Sequence, residues 1–481
     1  MHANAISDVE KRPSAALWQA PFTALAPLMA RGALTSQALL AQCRAAIAAY
    51  DGGDSGLGAL IYLNPQADAE AKALDVERER SGVRGPLHGI PVVLKDNIDV
   101  AGWPTTSGSR AMARAVALQD AVQTARLRAG GALIIGKANL SEFSFEVRSR
   151  SSIRGDVRNP FDRHVTAGGS SGGTAVAVAA GFASAGLGTD TGGSLRIPAS
   201  FTGLVALRPT QGLLDMTGVA PLAPSADTIG PITRSVADAA SLFALLGGAG
   251  ASAAAGLPTR TLAGARIGVL RQAFGVEDEI RRATEAALTA MSRAGAKLID
   301  PVELPPDLCP VGCPEIVDFE FCPAFDAYLQ ERFVPGTAPA SLATIYAGGE
   351  FLPDYRESLA RRLNWRSLAA DRPRELKEYR RRVRQAVAAS MDRHALDAWV
   401  YPTAAVTPRS LDNPAVGWAA ELAACIGWPA LTLPAGRAVS GVPIGLELLG
   451  PANAETALLD LAADLENCLK GRPIPLLDGA R

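Results

Sequence analysis

The sequence predicts an α/β protein whose helices are layered on a β-sheet. Residues 121–130 have helical apolar spacing and end at Gly130, and a short apolar strand follows at 132–136. A second apolar run, 90–95, follows Pro86 and Gly89 and ends in Lys95, as a buried strand does. This alternation of helix and strand favours a layered core.

Apolar periodicity predicts further elements on both sides of this core. Helices are expected within 14–50 and at 67–80, 174–188, 236–246, 277–295, 355–393 (broken near Pro373) and 455–469. Strands are expected at 265–270, 398–402, 430–434 and 444–449. Residues 300–350 hold several prolines and are expected to be irregular. Because no linker composition or internal repeat divides the chain, we expect one domain with a variable helical insertion near 300–395.

Composition excludes several classes of protein. The chain has 481 residues, 48% of them hydrophobic and 20% charged, as in a globular protein. Lys plus Arg total 47 against 48 for Asp plus Glu, so the marked basic excess of a nucleic-acid binder is missing. The N-terminus lacks a secretory signal pattern, and the run 174–188 is shorter than the ~20 residues of a membrane span. We therefore expect a cytoplasmic protein without a nucleic-acid or membrane partner.

The cysteines and histidines do not form a metal-binding pattern. Cys309, Cys313 and Cys322 lie close together, but there is no CxxC pair and no histidine between residues 165 and 393. The four histidines share no metal-ligand spacing. Buried or idle thiols are therefore the preferred interpretation, and we expect no metal and no cofactor.

Three segments carry residues suited to catalysis. The first, 85–97, places Lys95 at the end of an apolar strand. A buried lysine is costly to keep charged, so it is usually paired or has a lowered pKa. The alternative, a lysine that ends a strand at the surface, remains open for this segment alone.

The second segment is Gly-Gly-Ser-Ser-Gly-Gly at 168–173, which opens the apolar run. Such glycines allow unusual backbone conformations and leave N–H groups at a helix N-terminus, where negative charge is stabilised. A phosphate-binding loop would need a lysine after the glycines, which is missing here.

The third segment, 188–198, contains Gly192 and Gly193 before Ser194. These glycines would leave N–H groups open beside the serine, and each such donor can stabilise an oxyanion by about 3 kcal/mol. A dinucleotide-binding motif fails because its glycine spacing is off by one position. Together the segments supply a nucleophile, donors for an anion and a lysine, with no histidine placed as a base.

With these motifs the chain resembles the amidase-signature family. The resemblance runs from about Pro86 to Thr210 and returns at 427–434 and 441–450. It implies a large mixed β-sheet covered by helices on both faces. On this basis we expect an N-terminal helical region at 1–80, a catalytic core at 81–270, a variable helical region at 271–400 that forms a pocket wall, and the rest of the core at 401–481.

The resemblance also assigns roles to residues. Lys95 would be the base, Ser170 the serine that follows a cis peptide bond with Gly169, and Ser194 the nucleophile that forms an acyl-enzyme. The implied oxyanion hole consists of four backbone N–H groups, those of Thr191, Gly192, Gly193 and Ser194.

The substrate is less well defined. Trp103, Phe145 and Arg148 are candidate pocket residues, although Trp103 suits a core position equally and Arg148 suits an ion pair better. We expect cleavage of a small or aryl amide, with carbamate (urethane) or ester cleavage as a side activity, by a monomer or homodimer. The alternatives are the amidase subunit of a larger complex of the glutamine amidotransferase type, and a non-catalytic binding protein. Residues 420–429 depart from the Asp-x-x-Thr-like stretch of the glutamine-using subunits.

The arginine-rich stretch 380–384 allows two interpretations. It could be a phosphate-binding patch, but acidic residues interleave with it, so a solvated helix face is preferred.

Overall fold

The computed structural model describes residues 19–53, 55–248, 261–309, 315–368, 371–412, 416–469 and 471–477. Residues 14–18 of the first predicted helical region lie outside these ranges, as do Cys313 and the segment 1–18 that was examined for a secretory signal. Within the described ranges, every helix falls short of the length and apolarity that a membrane span requires.

One large mixed sheet organises the described chain. Its eleven strands lie in the order β1-β3-β2-β6-β8-β7-β12-β13-β11-β9-β10, and β4 and β5 form a separate pair. The strands are β1 Leu60–Leu63, β2 Pro91–Lys95, β3 Leu133–Ala138, β4 Arg150–Ser151, β5 Gly155–Asp156, β6 Ala185–Asp190, β7 Val205–Arg208, β8 Thr228–Thr233, β9 Arg266–Val269, β10 Lys297–Ile299, β11 Ala398–Pro402, β12 Ala430–Arg437 and β13 Pro443–Leu449. β2 pairs in parallel with both β3 and β6, whereas β6 pairs antiparallel with β8.

Helices accompany the strands along the whole described chain. They are Phe22–Ala30, Ser36–Tyr50, Ala67–Ser81, Val122–Ala129, Gly172–Ala179, Arg196–Phe201, Val236–Leu245, Asp278–Arg293, Ile316–Glu331, Leu342–Gly348, Arg356–Leu363, Arg372–His394, Glu421–Ile426 and Glu455–Cys468. Short 3-10 turns lie at Arg110–Met112, Glu142–Ser144, Arg271–Ala273, Pro306–Leu308, Pro353–Tyr355 and Trp365–Ser367.

Both faces of the sheet are covered, as strand β2 shows. Val92 and Leu94 belong to one buried apolar cluster, and Val93 belongs to another on the opposite face. The two clusters alternate along β2 because successive side chains of a strand point to opposite faces of the sheet. The first cluster includes residues of helix Val236–Leu245, and the second includes those of helix Gly172–Ala179. The predicted mixed sheet with helices on both faces is confirmed.

The helix predicted at 174–188 is wrong in its second half. The helix ends at Ala179, Gly181 turns the chain with a φ of 78°, and β6 follows from residue 185. The small residues carry no periodicity that separates a buried helix from a buried strand. They serve close packing, because a Cβ on Gly186 would lie 2.4 Å from the Thr174 side chain.

The irregular structure predicted for 300–350 is also wrong in part. Helix Ile316–Glu331 includes Pro323, and helix Leu342–Gly348 follows it. Buried aromatic side chains, among them Phe321 and Phe325 with ring centroids 5.0 Å apart, hold the first helix in place despite its proline. Strand β10 lies within the region 271–400 that was expected to be helical, and the sequence did not indicate strands β1, β7 and β8.

Helix Gly172–Ala179 approaches its neighbours so closely that one glycine is required. A Cβ on Gly173 would lie 2.2 Å from the backbone oxygen of Asn139 and 2.6 Å from that of Ala59.

We predict that Gly173→Ala lowers the free energy of unfolding by about 1–3 kcal/mol, the usual cost of overpacking a core. Urea unfolding measures this loss. Gly85→Ala, where a Cβ meets nothing within 4 Å, is the control, and an equal effect of both variants would contradict this account.

Candidate active site

Lys95 lies at the end of β2, with its amine enclosed by hydroxyl groups. Its side chain is fully buried, and Nζ lies 2.7 Å from Ser170 Oγ and 2.8 Å from Thr189 Oγ1. Burial lowers the pKa of Lys95 to about 7, against the opposing effect of Asp190 and Asp227. The open alternative of a surface lysine is thereby excluded, and a substantial share of the amine is neutral near pH 7.

The loop before helix Gly172–Ala179 presents Ser170 to this amine. The peptide bond Gly169–Ser170 is cis, as the resemblance implied. The Oγ of Ser149 lies 3.0 Å from the carbonyl oxygen of Gly168 and 3.2 Å from that of Ser170, and it accepts the Gly172 N–H at 2.9 Å. Ser149 therefore fixes the loop on both sides of the serine.

The turn after β6 is organised by one buried carboxylate. Asp190 accepts the N–H groups of Gly193 and Leu195, each at 3.0 Å. Arg196 and Arg208, both fully buried, donate to the same carboxylate. Burial would raise the pKa of Asp190, but the two guanidinium groups outweigh it and hold that pKa well below its ordinary value.

Ser194 follows this turn and lies beside the Ser170 loop. The Ser171 N–H donates to the carbonyl oxygen of Ser194 at 3.2 Å, which joins the two segments. Within the described residues, Ser170 Oγ and Ser194 Oγ form no hydrogen bond with each other. The structure thus brings together all three residues that the sequence singled out, with a direct side-chain contact between Lys95 and Ser170.

The four predicted oxyanion donors are not equivalent. The Gly193 N–H already donates to Asp190, so the prediction is corrected at this position because that carboxylate occupies the donor. The N–H groups of Thr191, Gly192 and Ser194 make no hydrogen bond among the described residues. Gly193 has a φ of 109°, and a Cβ there would lie 2.8 Å from Ala420 and from Ile197. Glycine is therefore required at 193 by backbone geometry and by space.

The family model described as Amidase matches residues 41–459. The chain belongs to the amidase family. The resemblance found in the sequence is thereby confirmed.

Similar proteins are named for different enzymes. The chain is 34% identical over 473 residues to a glutamyl-tRNA(Gln) amidotransferase subunit of Deinococcus deserti, and the alignment covers 92% of this chain and 95% of that protein. The native peptide amidase of Stenotrophomonas maltophilia is 33% identical, with a TM-score of 0.87 over 97% of this chain and 100% of that one. An amidase family protein from Bacillus anthracis is 26% identical, with a TM-score of 0.84 over 99% and 97% of the two chains.

A small pocket with a cavity volume of about 100 Å³ opens in front of Ser194. The wall is mainly apolar, with Ile316 and Val317 from the helical region that was expected to form a pocket wall. The other lining residues are Ser144, Phe145, Glu146, Val147, Thr191, Gly192, Leu222, Ala226, Arg380, Glu421, Ala424 and Cys425.

Of the three predicted pocket residues, only Phe145 lines this pocket. Its ring packs against Phe321 with centroids 4.9 Å apart. Trp103 is corrected to a core residue, since its ring packs on Tyr62 at 5.1 Å. Arg148 is also corrected, because its guanidinium is held by Glu146 at 2.6 Å and faces carboxylates instead of the pocket.

Three charged side chains of the described residues line the pocket, and they differ in whether a partner group is bound to them. Glu146 is paired with Arg148. Arg380 is buried and donates to Ser225 and to the carbonyl oxygen of Cys425, so the solvated face expected for 380–384 does not include it. The Glu421 side chain has no hydrogen bond or salt bridge among the described residues, and its Oε2 is buried.

Several functional residues were missed by sequence reasoning. Thr189 and Asp190 stand in the motif that was singled out, but their contacts with Lys95 and the arginines depend on strand pairing across the sheet. Arg380 and Glu421 come from helices far apart in sequence, and no pattern links them to Ser194. Within the described ranges, no cluster of three or more His, Cys, Asp or Glu side chains could hold a metal ion.

The thiols divide into two kinds. Cys309 and Cys322 are free, in agreement with the preferred interpretation of idle thiols for these two residues. Cys425, in contrast, is disulfide-bonded.

The lowered pKa of Lys95 predicts a pH-dependent stability. The unfolded chain has the ordinary lysine pKa of 10.5 and the folded chain one of about 7, so the unfolded state binds more protons between these values. The unfolding free energy of the wild type should therefore rise with pH across this window. Relative to Lys95→Met, we expect a gain of at most about 1.4 kcal/mol per pH unit above pH ~7.

Urea unfolding of both proteins from about pH 7 to 9 measures this difference. Lys72→Met, which removes an exposed lysine, is the control and should show a difference that does not vary with pH. A constant difference for Lys95→Met as well would contradict a neutral buried amine.

Proposed function

We propose that this amidase cleaves an amide C–N bond through an acyl-enzyme on Ser194. The observation that carries the proposal is the 2.7 Å contact between the fully buried Lys95 Nζ and Ser170 Oγ. A neutral amine at this position can accept a proton, which charged lysine cannot. The apolar pocket that opens on Ser194 supports the same assignment.

In the proposed reaction Lys95 takes a proton from Ser170, and Ser170 takes one from Ser194. Ser194 Oγ attacks the amide carbonyl carbon, and negative charge develops on the carbonyl oxygen. The N–H groups of Thr191, Gly192 and Ser194 are the proposed donors to that oxygen. The proton then returns to the leaving nitrogen, the C–N bond breaks, and water hydrolyses the acyl-enzyme.

The substrate has two candidates. A small or aryl amide, with carbamate or ester cleavage as a side activity, suits a small pocket with a mainly apolar wall. A peptide amidase is also among the similar solved structures. The location in the cytoplasm and the monomeric or dimeric state remain predictions.

The second candidate is the amidase subunit of a larger complex that uses glutamine. The curated relatives favour it over the first, since those at 34% and 33% identity over most of the chain are both named as glutamyl-tRNA(Gln) amidotransferase subunits. The departure at residues 420–429 argues in the opposite direction, because the pocket residues Glu421 and Ala424 lie within it.

A substrate panel should separate these candidates. The chain expressed alone, with its size checked by gel filtration, is given anilides, primary amides, ureas, carbamates and L-glutamine. Hydrolysis of small amides by the chain alone is the expected result for a self-sufficient amidase. Glutamine hydrolysis that appears only with partner subunits present would favour the second candidate.

Ser194 itself is tested by substitution. We predict that Ser194→Ala abolishes covalent labelling by a fluorophosphonate probe and lowers kcat by about 10⁴-fold or more, as loss of a nucleophile does. Ser144→Ala removes another hydroxyl from the same pocket and is the matched control, which should keep its labelling. Labelling that persists in Ser194→Ala would remove Ser194 from its proposed role.

A further inference from the structure

The pocket wall contains a carboxylate that the proposed chemistry does not use and that has no partner among the described side chains. Glu421 begins the short helix Glu421–Ile426, and its backbone N–H donates to the carbonyl oxygen of Trp418 at 2.9 Å. Its side chain lines the same pocket as Ser194, and its buried Oε2 has no hydrogen-bond partner in the part of the chain that the structure describes. A carboxylate oxygen in this state has lost hydration without a compensating partner, which costs free energy.

The other charges of the pocket do not compensate Glu421. Arg148 neutralises Glu146. The guanidinium of Arg380 is occupied by Ser225 and by the carbonyl oxygen of Cys425, and the carboxylate of Glu320 offsets its charge. Burial raises the pKa of Glu421 to about 7, and no cation among the residues that the structure describes opposes this effect.

We infer that Glu421 is a specificity-determining residue that binds a cationic ammonium group of the amide substrate. This rests on the proposed function and names the class of amide: one that carries a primary amine away from the bond that is cleaved. The apolar lining, which includes Leu222 and Ala424, strengthens such an ion pair because it excludes water. A neutral donor would leave the charge of the carboxylate uncompensated.

The substrate's amine would therefore enter the pocket as the missing partner of Glu421. Binding satisfies the buried oxygen and holds the carboxyl ionised. A charge-assisted hydrogen bond of this kind favours the cationic amide over its neutral counterpart by about ten- to a hundredfold in kcat/KM.

Two series of primary amides test this inference. One series ends in an ammonium group, with two to five methylenes between it and the amide, and the other ends in a methyl group at matched lengths. Ammonia release gives kcat/KM for each. At one preferred length, the ammonium amide should exceed its methyl partner by the factor given above.

Glu421→Gln keeps the size of the side chain and should bring this ratio close to one. Glu146→Gln is the matched control, since it removes a carboxylate of the same pocket that already has its partner, and it should keep the ratio. A ratio near one in the wild type would overturn the inference. So would a ratio that survives Glu421→Gln or that falls equally in Glu146→Gln.

The two proposals fail in different ways. If the wild type hydrolyses the methyl series without preferring ammonium amides, the assignment of Glu421 falls and amide cleavage stands. If it hydrolyses neither series, the proposed cleavage of these amides is wrong, and the inference about Glu421 that rests on it is wrong as well.

Discussion

The site depends on the complete removal of one amine from water. Lys95 is delivered by a strand that is buried along its whole length, between parallel neighbours on both sides. Removal from water lowers the pKa of this amine to about 7, so that its neutral form, which can accept a proton, is populated near neutral pH. The hydroxyls of Ser170 and Thr189 satisfy the amine without supplying a counter-charge. A carboxylate in contact with Nζ would stabilise the charged form and remove the base.

The second requirement is a rigid turn, and Asp190 provides it. Its carboxylate holds two backbone N–H groups of the turn and is itself held by two buried arginines. Those arginines reach further, since Arg196 donates to the carbonyl oxygen of Ala420 and Arg208 to that of Ala226. Ala226 lines the pocket, and Ala420 precedes the helix that carries Glu421. One buried ionic network therefore connects the turn that precedes Ser194 to the pocket wall.

The three residues that the structure brings together at the candidate site could be predicted from the sequence because they lie in short, glycine-rich motifs. Lys95, Ser170 and Ser194 occupy local patterns whose residue types are explained by backbone conformation and chemistry. The pocket could not be predicted in the same way. Phe145 was found, but Trp103 and Arg148 satisfy their own neighbours, and Arg380 and Glu421 reach the pocket through long-range packing. Helix Ile316–Glu331 was missed because its proline suggested a break, whereas buried aromatic contacts stabilise it.

The central claim is that a neutral Lys95 activates Ser194, and the pH dependence of Ser194 acylation tests it most directly. The rate of fluorophosphonate labelling should be measured from about pH 5.5 to 9.5, in the wild type and in Glu421→Gln, so that the neighbouring carboxyl is removed as a source of ionisation. We predict in both proteins a rate that rises about tenfold per pH unit below pH ~7 and is constant above it, because one amine must be deprotonated. A rate that does not vary with pH would contradict the account, and so would a rate that still rises tenfold per pH unit up to pH ~9.5, as an amine with the ordinary lysine pKa of 10.5 requires.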